Sequence, residues 1–142
     1  MSRKKSVMVC CLILCAGTAA FADRIVDPLK LPSSIVESVT EWFPGETITM
    51  AESDWGRYEV YLSGGAAIDF SLTRNWEEMS SVNGLPETAL PDGVFEAVRN
   101  AWPEAAVVKI ERQFRGYEVK LNNGMEMYFT KDGRLTGQKY DD

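Results

Sequence analysis

Two carboxylates recur in the same setting, Glu59 within Tyr58-Glu59-Val60-Tyr61-Leu62 and Glu118 within Tyr117-Glu118-Val119-Lys120-Leu121. Paired carboxylates hydrolyse glycosides when they are held at a defined separation with unequal proton affinities. In an acidic chain such pairs arise easily, and the simpler reading of both is a solvent-facing strand residue. Other common catalytic sets fail on composition. The chain has no histidine, which removes Ser-His-Asp and Cys-His arrangements, histidine base catalysis and the usual zinc sites. Asp132 with Asp141 and Asp142 offers oxygen atoms of the kind calcium takes. No spaced Asp-x-Asp-x-Asp-Gly loop accompanies them, and Asp132-Gly133 has the composition of a hairpin turn. No catalytic residue, metal site or cofactor is therefore assigned.

The three cysteines, Cys10, Cys11 and Cys15, all lie within one amino-terminal stretch. Residues 1–22 have the layout of a secretory signal: Arg3, Lys4 and Lys5, a mainly apolar run from Val7 to Ala20, and Ala20-Phe21-Ala22 as a small-x-small cleavage site. The run falls short of the roughly 20 residues that span a bilayer, so a retained anchor is not expected. No small residue immediately precedes a cysteine in the manner of a lipoprotein signal. Cleavage after Ala22 would take every cysteine with it, leaving no disulfide or thiol chemistry. It would also remove three cations from a chain whose net charge is already −6. Such a chain does not seek nucleic acid or anionic lipid through its bulk charge, and a basic or neutral partner suits it better.

The positioning elements come from an internal repeat. Leu31–Trp76 aligns without a gap on Leu90–Leu135, matching Leu31-Pro32 with Leu90-Pro91, Pro44 with Pro103, Gly65 with Gly124 and Phe70 with Phe129. Each copy opens on a helical stripe, Ile35, Val39, Trp42 and Phe43 or Val94, Val98, Ala101 and Trp102. Ser33 or Ser34 is the expected cap of the first helix, with Glu37 completing a capping box, and Asp92 that of the second. Pro44 and Pro103 end them. The period then falls to two. Tyr58, Val60 and Leu62, or Tyr117, Val119 and Leu121, share the inward face, and Gly64-Gly65 and Asn123-Gly124 read as two-residue hairpin turns. Further strands are expected over Glu46–Ser53, Ala66–Ser71 and Trp76–Ser81, and over Ala105–Gln113, Met125–Thr130 and Leu135–Tyr140. The buried face of the first strand in each copy is not fixed by its pattern.

The fold class expected is α+β: two tandem units, each a helix followed by a four-stranded antiparallel meander, with the helices on one face. The divisions are an arm at 23–30, a first unit at 31–82, a linker at 83–89 and a second unit at 90–142. A helix covers one face of a sheet only, so the opposite face is the candidate site. It displays Glu59, Tyr61, Ala67 and Asp69 in one unit and Glu118, Lys120, Glu126 and Tyr128 in the other. A mixed aromatic and acidic surface suits a basic protein or peptide, although antiparallel sheets often expose one side to water without further purpose. Trp55, beside Gly56 ahead of the repeated strand, is a candidate interface anchor, with Phe114 as its counterpart. Trp42, Trp76 and Trp102 read as core.

The succession of Leu-Pro, a helix ending in an aromatic and proline, Tyr-Glu-Val-x-Leu, Asn-Gly and a closing Asp-Gly resembles the PepSY-like family, grouped with the beta-lactamase inhibitory protein. The likeness runs over Leu31 to Tyr140. In the first copy Leu72-Thr73-Arg74-Asn75 replaces Lys131-Asp132-Gly133-Arg134, a departure from the pattern. The resemblance implies an exported, non-catalytic domain that binds or restrains other proteins, and it supplies no contact residues. The expected function is a secreted or periplasmic binding module for a protein or peptide. Its site residues are Trp55, Glu59, Tyr61, Asp69, Glu118, Lys120, Glu126 and Tyr128. An envelope sensor of a small ligand or calcium is the alternative, and a carboxylate hydrolase a lesser one. Export in a bacterial host should yield a chain beginning at Asp23, and intact-mass measurement checks it; a mass retaining Cys10, Cys11 and Cys15 would refute the cleavage.

Overall fold

The computed structural model describes residues 24–141. The expected leader lies outside the described residues. Nine strands form one antiparallel meander in sequence order. These are β1 (Arg24–Val26), β2 (Ile48–Asp54), β3 (Arg57–Leu62), β4 (Ala66–Phe70), β5 (Trp76–Ser81), β6 (Val107–Gln113), β7 (Gly116–Leu121), β8 (Met125–Thr130) and β9 (Leu135–Tyr140). Two short helices, α1 (Ser33–Trp42) and α2 (Val94–Ala101), interrupt the order.

This corrects the expected fold class. The chain does not form two tandem helix-plus-four-strand units; it is mostly a single nine-stranded sheet to which the helices are minor. Strand β5 pairs with β6 through Glu78 opposite Glu111, Met79 opposite Ile110 and Ser80 opposite Lys109. The arm adds β1 to the edge of β2. Two separate meanders would each have left a strand edge at β5 and β6 with unpaired amides and carbonyls, and pairing the edges satisfies both.

One register organises the interior. Ala51, Val60, Ile68, Met79, Ile110, Val119 and Met127 stand opposite one another across seven consecutive strands. All seven are fully buried. Onto this row the helices place Ile35, Val39 and Phe43 from the first and Val94 and Val98 from the second, in one continuous hydrophobic cluster. One aromatic contact binds the halves further, Trp76 of β5 stacking on Tyr117 of β7 at 5.8 Å, and within the first half Trp42 stacks on Phe70 at 6.2 Å.

Local chemistry departs from expectation at the helix starts and at the turns. Pro32 precedes α1 without any side-chain cap, its carbonyl accepting from the Ile35 and Val36 amides at 3.0 and 3.4 Å. The residue before α2 is Gly93, not Asp92, and it is left-handed at φ 86°. Its backbone passes so close to Gly133 that a Cβ on Gly93 would meet the Gly133 carbonyl at 2.7 Å. The turns at Gly65 and Gly124 are three-residue connections, in which the glycine amide closes on the Leu62 or Leu121 carbonyl and the glycine alone takes positive φ. The β4–β5 turn has the same closure, Arg74 amide to Ser71 carbonyl at 3.0 Å, with Arg74 itself left-handed at φ 67°.

If the sheet is one cooperative body, Ile110→Ala, at the β5–β6 seam, should cost about 2–5 kcal/mol and shift a single denaturant transition. Coincident curves from tryptophan fluorescence and far-UV circular dichroism check this; two resolved transitions would mean that the halves unfold independently.

Candidate recognition face

Each member of the buried row has a neighbour along its strand that points the opposite way, because side chains alternate with period two. Those neighbours are Glu52, Glu59, Asp69, Glu78, Glu111 and Glu118, followed by Tyr128. They too stand directly opposite one another, so six carboxylates form a cross-strand row from β2 to β7 on the face away from the helices. All six are half-buried. Like charges directly opposite across a sheet are destabilising, so their accumulation calls for a compensating partner, within the chain or outside it.

The second row of the same face decides where compensation is internal. It runs Met50, Tyr61, Ala67, Ser80, Lys109, Lys120, Glu126 and Lys139. Cations occupy only the later half. Lys109 pairs with Glu78 at 3.2 Å, and Lys120 reaches Glu126 at 3.2 Å and Asp141 at 3.1 Å. Glu126 was expected on the open surface, but its side chain is only 5% exposed. The Tyr128 hydroxyl donates to it at 2.8 Å and Lys139 approaches at 3.7 Å. These donors, Tyr128 first and then Lys120, hold its carboxyl below the usual range, while Asp141 and Glu126 raise the Lys120 ammonium. Lys120, Glu126 and Tyr128 are thus engaged with one another. Glu118 stands beside them, pushed up by burial and then by Glu126 and Glu111.

The earlier half is different. Among the described residues, Glu52, Glu59 and Asp69 form no ion pair. Neutral Tyr61 and Ala67 stand where the later half has Lys120 and Glu126. A bulge in β5 sets both Glu77 and Glu78 against Asp69. Burial first, then Glu59, Glu78 and Glu77, push Asp69 up to about 6. The Glu59 carboxylate raises the Tyr61 hydroxyl. A shallow pocket of about 210 Å³ opens here, lined by Glu52, Glu59, Asp69, Glu77, Arg57 and Tyr58 among others. Arg57 is engaged with Glu77 at 2.6 Å.

The structure therefore brings Glu59, Tyr61 and Asp69 together, and separately Glu118, Lys120, Glu126 and Tyr128. Glu59 and Glu118 lie four strands apart, roughly 19 Å at the ordinary strand spacing, beyond the reach of a hydrolytic pair. Trp55 sits apart from the face, at the tip of the β2–β3 hairpin. Glu52, Glu78, Glu111 and Lys109 were missed, because they lie on strands whose facing the alternation left open or on the strand after the bulge. Glu52 and Glu111 carried a signal: they occupy equivalent positions in the internal alignment. No group of three or more potential ligands is placed to hold a metal among the described residues.

Residues 56–137 match the family described as "Putative beta-lactamase-inhibitor-like, PepSY-like". The chain belongs to the PepSY-like family. Among solved structures, it is similar to a "putative calcium-regulated periplasmic protein" of Bacteroides thetaiotaomicron, with 28% identity, a TM-score of 0.72, and coverage of 82% of this chain and 96% of that one. A Bacteroides vulgatus protein named as periplasmic and of unknown function matches at 26% identity and a TM-score of 0.70, over 83% of this chain and 99% of that one. Another periplasmic protein of the same species matches at 28% and 0.67, with coverage of 82% and 96%. No functionally curated protein matches. These PepSY-like neighbours are described as periplasmic, and no described helix of this chain is long and apolar enough to cross a membrane.

Asp69 supplies a pH test. Its folded-state pKa lies above the ordinary 3.8, so the folded state holds the proton longer than the unfolded chain. The stability linked to this group is present at low pH and falls as pH rises from about 4 through about 6. Asp69→Asn should remove that fall and raise stability near pH 7.5 by up to about 1 kcal/mol, the upper end for a half-exposed cross-strand charge. Melting temperature against pH for both proteins measures it, and parallel curves would refute the assignment.

Proposed function

We propose that this chain is a periplasmic, non-catalytic binding module that receives a basic segment of a protein partner on the earlier half of its open sheet face. The observation that carries the reading is the line of Glu52, Glu59 and Asp69, directly opposed across three strands, which form no ion pair among the described residues and have no cation beside them in the second row, on a face whose later half carries Lys109, Lys120 and Lys139. Desolvated charge of one sign selects a partner of the other sign and disfavours wrong partners. Tyr61 adds a rigid aromatic surface beside the carboxylates, the kind of residue that anchors interfaces. PepSY-like membership and the periplasmic neighbours support the compartment. The absence of histidine from the chain and the distance between Glu59 and Glu118 support a role in binding over turnover.

A second reading follows from the relative named as calcium-regulated: the same unneutralised carboxylates would take a divalent cation. Oxygen-rich calcium sites need six to eight ligands, which three strand carboxylates do not supply alone, so the basic segment is preferred.

Capture from envelope extract by the immobilised protein tests the proposal. A specific basic protein should be retained and lost with Glu59→Gln plus Asp69→Asn, a change equivalent to at least tenfold in affinity, and titration calorimetry with the purified partner gives the constant. Capture unchanged by those substitutions would sink the open-face reading. A melting temperature that rises with millimolar calcium and loses that response in the double variant would move the site to the second reading.

A further inference from the structure

The end of the sheet formed by the β2–β3, β4–β5, β6–β7 and β8–β9 turns has a chemistry unlike the rest of this acidic chain. Three of the four turns carry an exposed apolar side chain: Trp55 is 77% exposed, Leu72 57% and Phe114 86%. Trp55 also holds a left-handed backbone at φ 50°, followed by Gly56 at φ 81°. That pair of conformations is a type I′ turn, where asparagine or glycine is the strain-free choice at the first position. A tryptophan that is both strained and solvated gains nothing for the fold that a smaller residue would not supply, and such outliers concentrate where a surface is used.

The apolar tips are set among cations. Arg112, Arg115 and Lys131 stand at the same end, and none forms an ion pair among the described residues. Lys131 lies over the Phe114 ring at 5.8 Å, and Arg112 over Trp76 at 4.4 Å. The tips are fixed in place: Arg74 donates to the Gly56 and Leu72 carbonyls at 3.3 and 2.6 Å, which ties the Trp55 and Leu72 turns together.

We infer that this edge docks on an anionic membrane surface, with Trp55, Leu72 and Phe114 entering the headgroup region and Arg112, Arg115 and Lys131 meeting lipid phosphates. Shape favours lipid over a protein partner. Successive hairpin tips are about 10 Å apart at the normal strand spacing, so the edge presents separate fingers. A protein interface needs a continuous, complementary apolar centre, whereas a fluid interface closes around each finger. Tryptophan and basic residues are the side chains that partition to that interface. The negative bulk charge, which argues against anionic lipid, is spread over the open face, the helices and the other loops, while at the rim Arg112, Arg115 and Lys131 outnumber Asp54 and Asp132. In this posture the open face stands upright on the bilayer. The inference rests on different residues from the recognition face, and either can fail alone.

Sedimentation with vesicles tests it, using protein recovered after export with its amino terminus checked by mass. At low salt the protein should co-sediment with vesicles of phosphatidylglycerol and phosphatidylethanolamine, not with phosphatidylcholine alone, and Trp55 emission should shift to the blue. Arg115→Gln and Lys131→Gln should each lower partitioning about fivefold, the equivalent of about 1 kcal/mol per basic residue near an anionic surface. Trp55→Asn suits the turn geometry and serves as the fold control. Its melting temperature should hold or rise while partitioning falls at least fivefold. Absence of co-sedimentation, equal binding to neutral vesicles, or binding undiminished by Trp55→Asn would overturn the inference, as would protection of this rim by a bound protein in place of lipid.

Discussion

The register that sets Ala51, Val60, Ile68, Met79, Ile110, Val119 and Met127 opposite one another governs most of what the molecule can do. These residues are apolar throughout, mostly β-branched side chains suited to strands, and their complete burial forbids a slip. A shift of one residue on any strand would bring a charged neighbour into the core and expose an apolar one. The same constraint aligns the carboxylates on the other face. Glu52, Glu59, Asp69, Glu78, Glu111 and Glu118 are adjacent because the residues beside them are locked together, and the sheet bears their repulsion as a consequence of its packing. Core and recognition surface are two sides of one pairing scheme.

The two halves resolve that repulsion differently. In the later half Lys109, Lys120 and Lys139 enter the neighbouring row, and Glu126 is drawn almost out of solvent beneath Tyr128, Lys120 and Lys139. A buried carboxylate surrounded by donors is stable only as a complete network, so these groups answer one another's charge within the chain. The earlier half has Tyr61, Ala67 and Ser80 at the equivalent places and leaves its charge open. Edge pairing of β5 with β6 makes this asymmetry useful, since it places a self-neutralised surface and an open one side by side in a single rigid sheet.

Backbone strain is distributed unevenly as well. Left-handed positions at Gly65, Gly124 and Gly133 cost little. Trp55 and Arg74 take such conformations without that advantage. Arg74 is held by its own hydrogen bonds to Gly56 and Leu72 and by its approach to the Tyr58 ring at 5.1 Å. Trp55 makes no such side-chain hydrogen bond among the described residues, and Arg112, Arg115 and Lys131 share its rim.

Amino-acid order alone determined the two helices and eight of the strands, though not β1 in the arm, because alternation at Tyr58–Leu62 and Tyr117–Leu121 and the stripes at Ile35–Phe43 and Val94–Trp102 are local patterns of burial. It also determined that Glu59, Tyr61 and Asp69 share a face, since period two relates them through one hairpin. It could not decide that nine strands form one sheet. Nothing local says whether the edge of β5 meets β6 or water, and the expected pair of units fails on that one contact. Nor could it decide which charges are free. Glu118 and Glu59 look alike in their repeated motifs, and only the wider sheet sets the Lys120, Glu126 and Lys139 network beside one and leaves the other with no cation alongside. Capping and turn length escaped for a related reason. Pro32 and Gly93 begin the helices where Ser34 and Asp92 seemed suited, and at Gly93 the close passage of Gly133, a long-range contact, decides it. Only tertiary structure decided charge neutralisation and edge pairing, because both depend on residues distant in the chain and adjacent in the sheet.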